Sequence, residues 1–151
     1  MQSKTISIGC DHAGFPYKEG IINYLRSQGF TVLDFGTNSA DSVDYPDYVH
    51  PAANSIEQGK ADMGVLICGS GNGVCMTANK HLGIRAAMVW KEEIARLARQ
   101  HNNANMICLP ARFITLEEAV HFTDVFLHTD FEGGRHERRV EKMSDLNYIA
   151  D

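Results

Sequence analysis

Met63-Gly64-Val65-Leu66-Ile67-Cys68-Gly69-Ser70-Gly71-Asn72-Gly73-Val74 is the stretch whose reading decides the fold. Its first half is an uninterrupted apolar run of strand length, and the glycines that follow end it. A strand with one wet face would alternate, so a continuous run fits a parallel sheet covered on both sides. Helical spacing begins at Asn72, which makes the unit a strand, a tight turn and a helix.

The same unit recurs in both directions. On the N-terminal side, Thr5–Cys10 predicts a strand. A helix follows from about Pro16 to Gln28, with Tyr17, Ile21, Tyr24 and Leu25 on one face and Gly29 closing it. Phe30–Phe35 predicts a second strand, and Asp47 to Gln58 a helix ended by Gly59. On the C-terminal side, a helix from Asn72 to His81 leads to a strand over Ile84–Val89. A helix then spans Lys91–Gln100, with Ile94, Leu97 and Ala98 inward. Asn105–Leu109 predicts a fifth strand. Thr115 and Glu118 form a capping box opening a helix that carries Leu116, Ala119, Val120 and Phe126. A last helix runs from Gly134 towards Tyr148. Strict alternation of strand and helix predicts an α/β fold, a Rossmann-like three-layer α/β/α sandwich with a five-stranded parallel sheet. Without repeat or linker, residues 1–151 read as a single domain.

The totals narrow the classes of function. The chain has 151 residues, 44% hydrophobic and 22% charged, enough for one sizeable core. A net charge of -5 argues against nucleic acid or an anionic membrane as partner, so an anionic ligand needs a local basic cluster. No apolar run approaches the roughly 20 residues of a membrane span, and no signal-peptide core follows Met1, so a cytoplasmic location is expected. The cysteines (Cys10, Cys68, Cys75, Cys108) show no C-x-x-C spacing, which disfavours a zinc site; three of them sit in or at the end of apolar runs, as core thiols do.

In parallel sheets, ligands lie beyond the C-terminal strand ends. This directs attention to Asp11-His12 after the first strand, Gly69–Gly73 after the third and Arg112 after the fifth. His101-Asn102, which follow a helix, are assigned to the same edge. The glycine loop exposes backbone N–H groups suited to an anion. A dinucleotide fingerprint would need glycine where Val74 stands and would be expected after the first strand, and no Walker lysine follows. Cys68 ends a strand just before this loop. A free thiol has a pKa of about 8.5, and a helix N-terminus can lower it, giving a general base beside oxyanion donors. His12 and His101 are acid–base or phosphate candidates; the other histidines are left without a role. Arg135 and Arg139 are spaced i, i+4, so both project from one helix face, either as phosphate forks or as a solvated face paired with Glu132, Glu137 and Glu141.

The ordered set Gly9-Cys10-Asp11-His12-Ala13-Gly14, Asp44-Tyr45-Pro46, Cys68–Gly73, Ala78-Asn79-Lys80, Gly83–Ala86, His101-Asn102 and Glu132–His136 closely resembles the type B ribose-5-phosphate isomerases, a family that includes galactose-6-phosphate isomerase subunits. The likeness spans about Ile6 to Leu146. It implies interconversion of D-ribose 5-phosphate and D-ribulose 5-phosphate through a cis-enediolate, without metal or organic cofactor. By resemblance, Cys68 is the base, and Ser70 with the N–H groups of Gly69, Gly71, Asn72 and Gly73 holds the enediolate oxygens. His101 assists ring opening, Asp11 and Asn102 bind sugar oxygens, and Tyr45 walls the pocket. His12, Arg112, Arg135 and Arg139 hold the phosphate. Members lacking the cysteine use a glutamate after the loop; Val74 closes that route here, and Cys75 is assigned to structure. The likeness also implies a homodimer with active sites at the subunit interface, tetrameric in some members. The helix over about 134–148 is expected to contribute to the active site or to the dimer contact. Within the enzyme class, allose 6-phosphate and galactose 6-phosphate are rival substrates. A nucleotide-binding module and a thiol redox protein are the rivals outside it, the latter requiring a partner cysteine for Cys68.

Overall fold

The computed structural model describes residues 3–147. Its strands are β1 (Thr5–Cys10), β2 (Thr31–Asp34), β3 (Met63–Cys68), β4 (Ala86–Met88) and β5 (Met106–Pro110). They form one parallel sheet in the order β2-β1-β3-β5-β4. The helices are α1 (Phe15–Ser27), α2 (Pro46–Glu57), α3 (Asn72–Ala78), α4 (Glu92–Gln100), α5 (Leu116–Leu127) and α6 (Arg135–Lys142). The α/β sandwich expected from the alternation is the fold observed.

Strand periodicity divides the core into two layers. Ile8, Val65, Ile67 and Leu109 point to one face, beneath α1, α4 and α5. Leu66, Cys68 and Cys108 point to the other, beneath α2 and α3. Every residue of β3 is buried, which explains its unbroken apolar run. Each fully buried Leu or Ile side chain contributes about 1.5–3 kcal/mol through removal from water.

Several boundaries differ from expectation. The edge strand β4 has only three residues instead of the six expected. It pairs with β5 alone, and the Asn79 side chain engages its free side: the Ala86 N–H donates to Asn79 Oδ1 at 2.8 Å, and Asn79 Nδ2 donates to the Ala86 carbonyl at 2.9 Å. Helix α3 stops at Ala78, short of His81, where this Asn79 contact takes over. The last helix ends at Lys142 because Met143–Asn147 turn away; the Ser144 hydroxyl donates to Leu82 O at 3.2 Å, and Tyr148 lies outside the described residues. In α4 the buried residues are Ala95 and Ala98, while Ile94 and Leu97 are half-buried. Leu116, at the first position of α5, is exposed along one side and packs over Gly20 of α1. The capping box at Thr115 and Glu118 forms as expected.

Two consequences of this topology position the site. The chain leaves β1 for β2 on one side, while β3, β5 and β4 lie on the other. The C-terminal ends of β1 and β3 therefore flank a topological switch point, where open α/β sheets have a crevice. Each helix linking parallel strands also carries the chain back, so α→β connections lie on the opposite edge. For α4, nine residues at 1.5 Å each make that return about 14 Å.

Candidate functional site

At the switch point, the segments following β1, β3 and β5 close a cleft of about 600 Å³. Asp11, His12, Tyr45, Cys68, Gly69, Ser70, Gly73 and Arg112 line it. Local geometry orients each of them. Asp11 is 6% exposed, and its Oδ1 accepts from the N–H groups of Ala13 and Gly14 at 3.0 and 3.1 Å, holding the turn into α1. That turn packs so tightly on β3 that a Cβ on Gly14 would stand 2.4 Å from Ile67 O. His12 Nδ1 accepts from the Val43 N–H at 3.1 Å, which puts the proton of the neutral ring on Nε2.

Cys68 is 5% exposed at the end of β3. Its carbonyl accepts from the Ala111 N–H at 2.9 Å, and the Gly69 carbonyl accepts from the Arg112 N–H at 3.0 Å. This pairing lays the Arg112 guanidinium across Gly69, where a Cβ would stand 3.1 Å from Nη1. Gly71 caps α3 with φ +77, and a Cβ there would meet Met88 Sδ at 2.6 Å, so both backbone and space demand glycine. The Asn72 N–H donates to Ser70 Oγ at 3.3 Å. The Tyr45 ring lies over Gly73, where a Cβ would stand 2.5 Å from its Cζ. Val74 is fully buried under the sheet, so the position a dinucleotide fingerprint needs as glycine is a core residue.

The remaining candidates stand elsewhere, which corrects the assignment of His101 and Asn102 to the edge that bears Cys68. His101 caps the C-terminal end of α4, and α4 has already returned the chain to the opposite edge. Asn102 lines a separate hollow there, with Asn79, Arg85 and Leu146. Helix α5 returns in the same direction and brings α6 beside it. The Glu132 N–H donates to Gln100 O at 3.1 Å, and Gly133 and Gly134, with φ +67 and +55, turn the chain into α6. Arg135 and Arg139 are both exposed on α6. One chain thus carries two separate groups, Cys68 with the loop on one edge and His101, Asn102, Arg135 and Arg139 on the other.

His136, given no role from the sequence, stacks on His101 with ring centroids 4.2 Å apart and planes 14° from parallel. Burial, then His101, then Arg135 hold its pKa below the usual 6.5, so the ring is neutral at neutral pH. The one signal for it was its place between the two arginines. Ligand atoms of His101, Glu132 and His136 lie within 4.8 Å of one another. A metal sits in the plane of each imidazole that binds it, and stacked, near-parallel rings do not aim their lone pairs at one point. The stack serves ring packing rather than chelation. Phe113, immediately after Arg112, also borders the cleft and was missed because a lone exposed aromatic carries no pattern.

A parallel α/β sheet with a thiol, a glycine loop and a guanidinium at its switch point defines an enzyme-like site for a small anionic ligand. Comparison with known proteins narrows the class. The ribose/galactose isomerase family model matches residues 6–143. The probable ribose-5-phosphate isomerase B of Mycoplasma genitalium is 46% identical over 143 residues, covering 93% of this chain and 94% of that protein. The crystal structure of a ribose 5-phosphate isomerase from Thermotoga maritima is 48% identical with a TM-score of 0.93, covering 96% of this chain and 100% of that one. The Mycoplasma genitalium ribose-5-phosphate isomerase B with bound ribulose-5-phosphate is 44% identical with a TM-score of 0.92, covering 97% and 98%. The chain belongs to the ribose/galactose isomerase family. Among the described residues, no helix is long and apolar enough to cross a membrane.

Proposed function

We propose that this chain interconverts D-ribose 5-phosphate and D-ribulose 5-phosphate through a cis-enediolate. The observation that carries the reading is the shared cleft, in which Cys68, the glycine loop and Arg112 border one space of about 600 Å³. In the forward direction the Cys68 thiolate takes the C2 proton of the open-chain aldose and returns it to C1. Negative charge develops on O1 as the C2 proton leaves and on O2 as the hydroxyl proton passes from O2 to O1, both before C1 is protonated, and Ser70 and the N–H groups of the loop receive it. Losing one such donor typically costs about 2.7–4 kcal/mol of barrier lowering. Asp11 binds a sugar hydroxyl, Tyr45 closes the wall, and His12 and Arg112 hold phosphate oxygens.

His101, Asn102, Arg135 and Arg139 join this site from a second copy. Their place on the opposite edge supports this, because a helix return of about 14 Å separates them from Cys68. A two-fold pair sets the Cys68 edge of each subunit against the His101 edge of the other, making two equivalent sites. His101 there assists ring opening, and the arginine pair completes the phosphate cradle with planar, permanently charged forks.

The test is ketose formation from ribose 5-phosphate, allose 6-phosphate and galactose 6-phosphate, with a metal chelator present throughout. Highest kcat/KM on ribose 5-phosphate supports the reading. A preference for a hexose phosphate would move the substrate while keeping the proton transfer, and no turnover of any would overturn it.

A further inference from the structure

Three thiols lie together on the face of the sheet beneath α2 and α3. Cys108 sits on β5 opposite Leu66 of β3 and Met88 of β4, and its side chain shares a core cluster with that of Cys68. Cys75, one turn into α3, packs against the same cluster. Its Sγ donates to the Ala86 carbonyl on β4 at 3.4 Å, and Ala86 lies two residues from Met88, the partner of Cys108. Isomerisation, as derived above, uses neither Cys75 nor Cys108.

We propose that Cys75 and Cys108 are a redox-active dithiol that a hydroperoxide closes to a disulfide, switching the isomerase off. The two residues differ in the way the sequence of steps requires. Cys75 is half-buried and reachable, while Cys108 is fully enclosed. A bond from the Cys108 thiol and another from the Met88 backbone hold Cys75 below the ordinary thiol range despite its burial. Burial, and then the same bond to Cys75, push Cys108 well above it. The first thiol is thus set up to react and the second to wait beside it.

The chemistry closes without a metal or protein cofactor. The Cys75 sulfur attacks one oxygen of the hydroperoxide, the O–O bond breaks, and the alcohol (water, for hydrogen peroxide) leaves with the proton. This gives a sulfenic acid. The Cys108 sulfur then attacks the sulfenyl sulfur. The S–S bond forms, the S–O bond breaks, and hydroxide leaves as water with the Cys108 proton. Two thiols are oxidised by two electrons in total, and one hydroperoxide is reduced. Because Cys108 adjoins Cys75 inside the core, the sulfenic acid meets a thiol rather than a second peroxide.

The link acts on the site through α3. Gly71, the N-cap of α3, faces the Met88 side chain so closely that a Cβ there would stand 2.6 Å from Sδ, so drawing Cys75 towards β5 shifts the helix with the loop it carries. The loss of activity rests on the loop role proposed above; the cross-link itself does not. Cys10 is an internal control, since it lies on the other face beneath α1, and burial pushes its thiol up to about 11.

The experiment treats the intact enzyme with stoichiometric hydrogen peroxide, alkylates free thiols and maps peptides without reduction. Trypsin leaves Cys68 and Cys75 together on 61–80 and Cys108 on 100–112, so fragmentation between 68 and 75 assigns the link. The expected result is a Cys75–Cys108 disulfide with Cys10 and Cys68 alkylated. Activity falls by about 100-fold or more, the scale of losing an oxyanion donor, and dithiothreitol restores it. Cys75→Ser keeps its basal kcat/KM and loses the reversible inactivation. Oxidation at Cys68 with Cys75 and Cys108 free overturns the proposal, as does a link through Cys68. A Cys75–Cys108 link that leaves activity intact overturns the switch, while the loop's own role is read separately from Cys68→Ala.

Discussion

Replacing Cys68 with alanine removes one sulfur from a position that is 5% exposed, and the small cavity left is borne by a strand buried along its whole length. General bases contribute about 10²–10⁴-fold, so Cys68→Ala should lower kcat by that order while ribulose 5-phosphate still binds. Stopped-assay kcat alongside calorimetric binding checks this, and near-normal turnover in the folded variant would remove Cys68 from the mechanism. The arginines test the other end of the substrate. A charge-assisted hydrogen bond is worth roughly 1.5–3 kcal/mol, so Arg139→Ala should lower kcat/KM for ribose 5-phosphate by about 10- to 150-fold. Arg139→Lys restores the charge without the fork and should recover only part of the loss. Free ribose, lacking the phosphate, should be processed equally by wild type and variant. If Arg139→Ala matches wild type on the phosphorylated sugar as well, the helix face is merely solvated.

Elements were legible wherever local chemistry alone decides them. The capping box is the clearest instance: the Glu118 N–H donates to Thr115 Oγ1 and the Thr115 N–H donates to Glu118 Oε1, each at 3.0 Å. Thr115→Ala should cost about 0.5–2 kcal/mol, lowering Tm by roughly 2–4 °C per kcal/mol in a chain this size, without changing KM. Calorimetric melting checks it, and an unchanged Tm would mean that α1 and α5 packing alone holds this helix start. Strand β4 was less legible. Its apolar run reads longer than the strand, because the Asn79 amide, seven residues before Ala86, engages the edge that another strand would otherwise occupy. The end of α6 was likewise set by a distant partner, the Leu82 carbonyl.

At the scale of the whole molecule, the composite site proposed above, shared between two copies, makes a prediction that neither half makes alone. Cys68→Ala and His101→Asn should each be nearly inactive when purified alone. Mixed and reassembled, half of the dimers are hybrids, and each hybrid has one intact site, so about one quarter of wild-type activity should return. Absence of recovery, with hybrid formation confirmed by native mass spectrometry, would place both residues in one subunit's site and overturn the composite arrangement.

The amino-acid sequence determined what depends on neighbours within a few positions. Five parallel strands, the glycine loop after β3 and the residues at the ends of β1, β3 and β5 follow from hydrophobic period, turn chemistry and the rule for strand ends. Tertiary structure alone decided which of the remaining candidates share a space. His101 reads like His12 in sequence, a histidine after a regular element, but one follows a helix and the other a strand, and α4 carries the chain across the sheet between them. The meeting of Cys75 with Cys108 was equally hidden, since 33 positions separate them and only the packing of α3 on the sheet brings them to one cluster. Local sequence sets which way each segment turns; the sheet's strand order sets which segments meet, and that order is a property of the packed core.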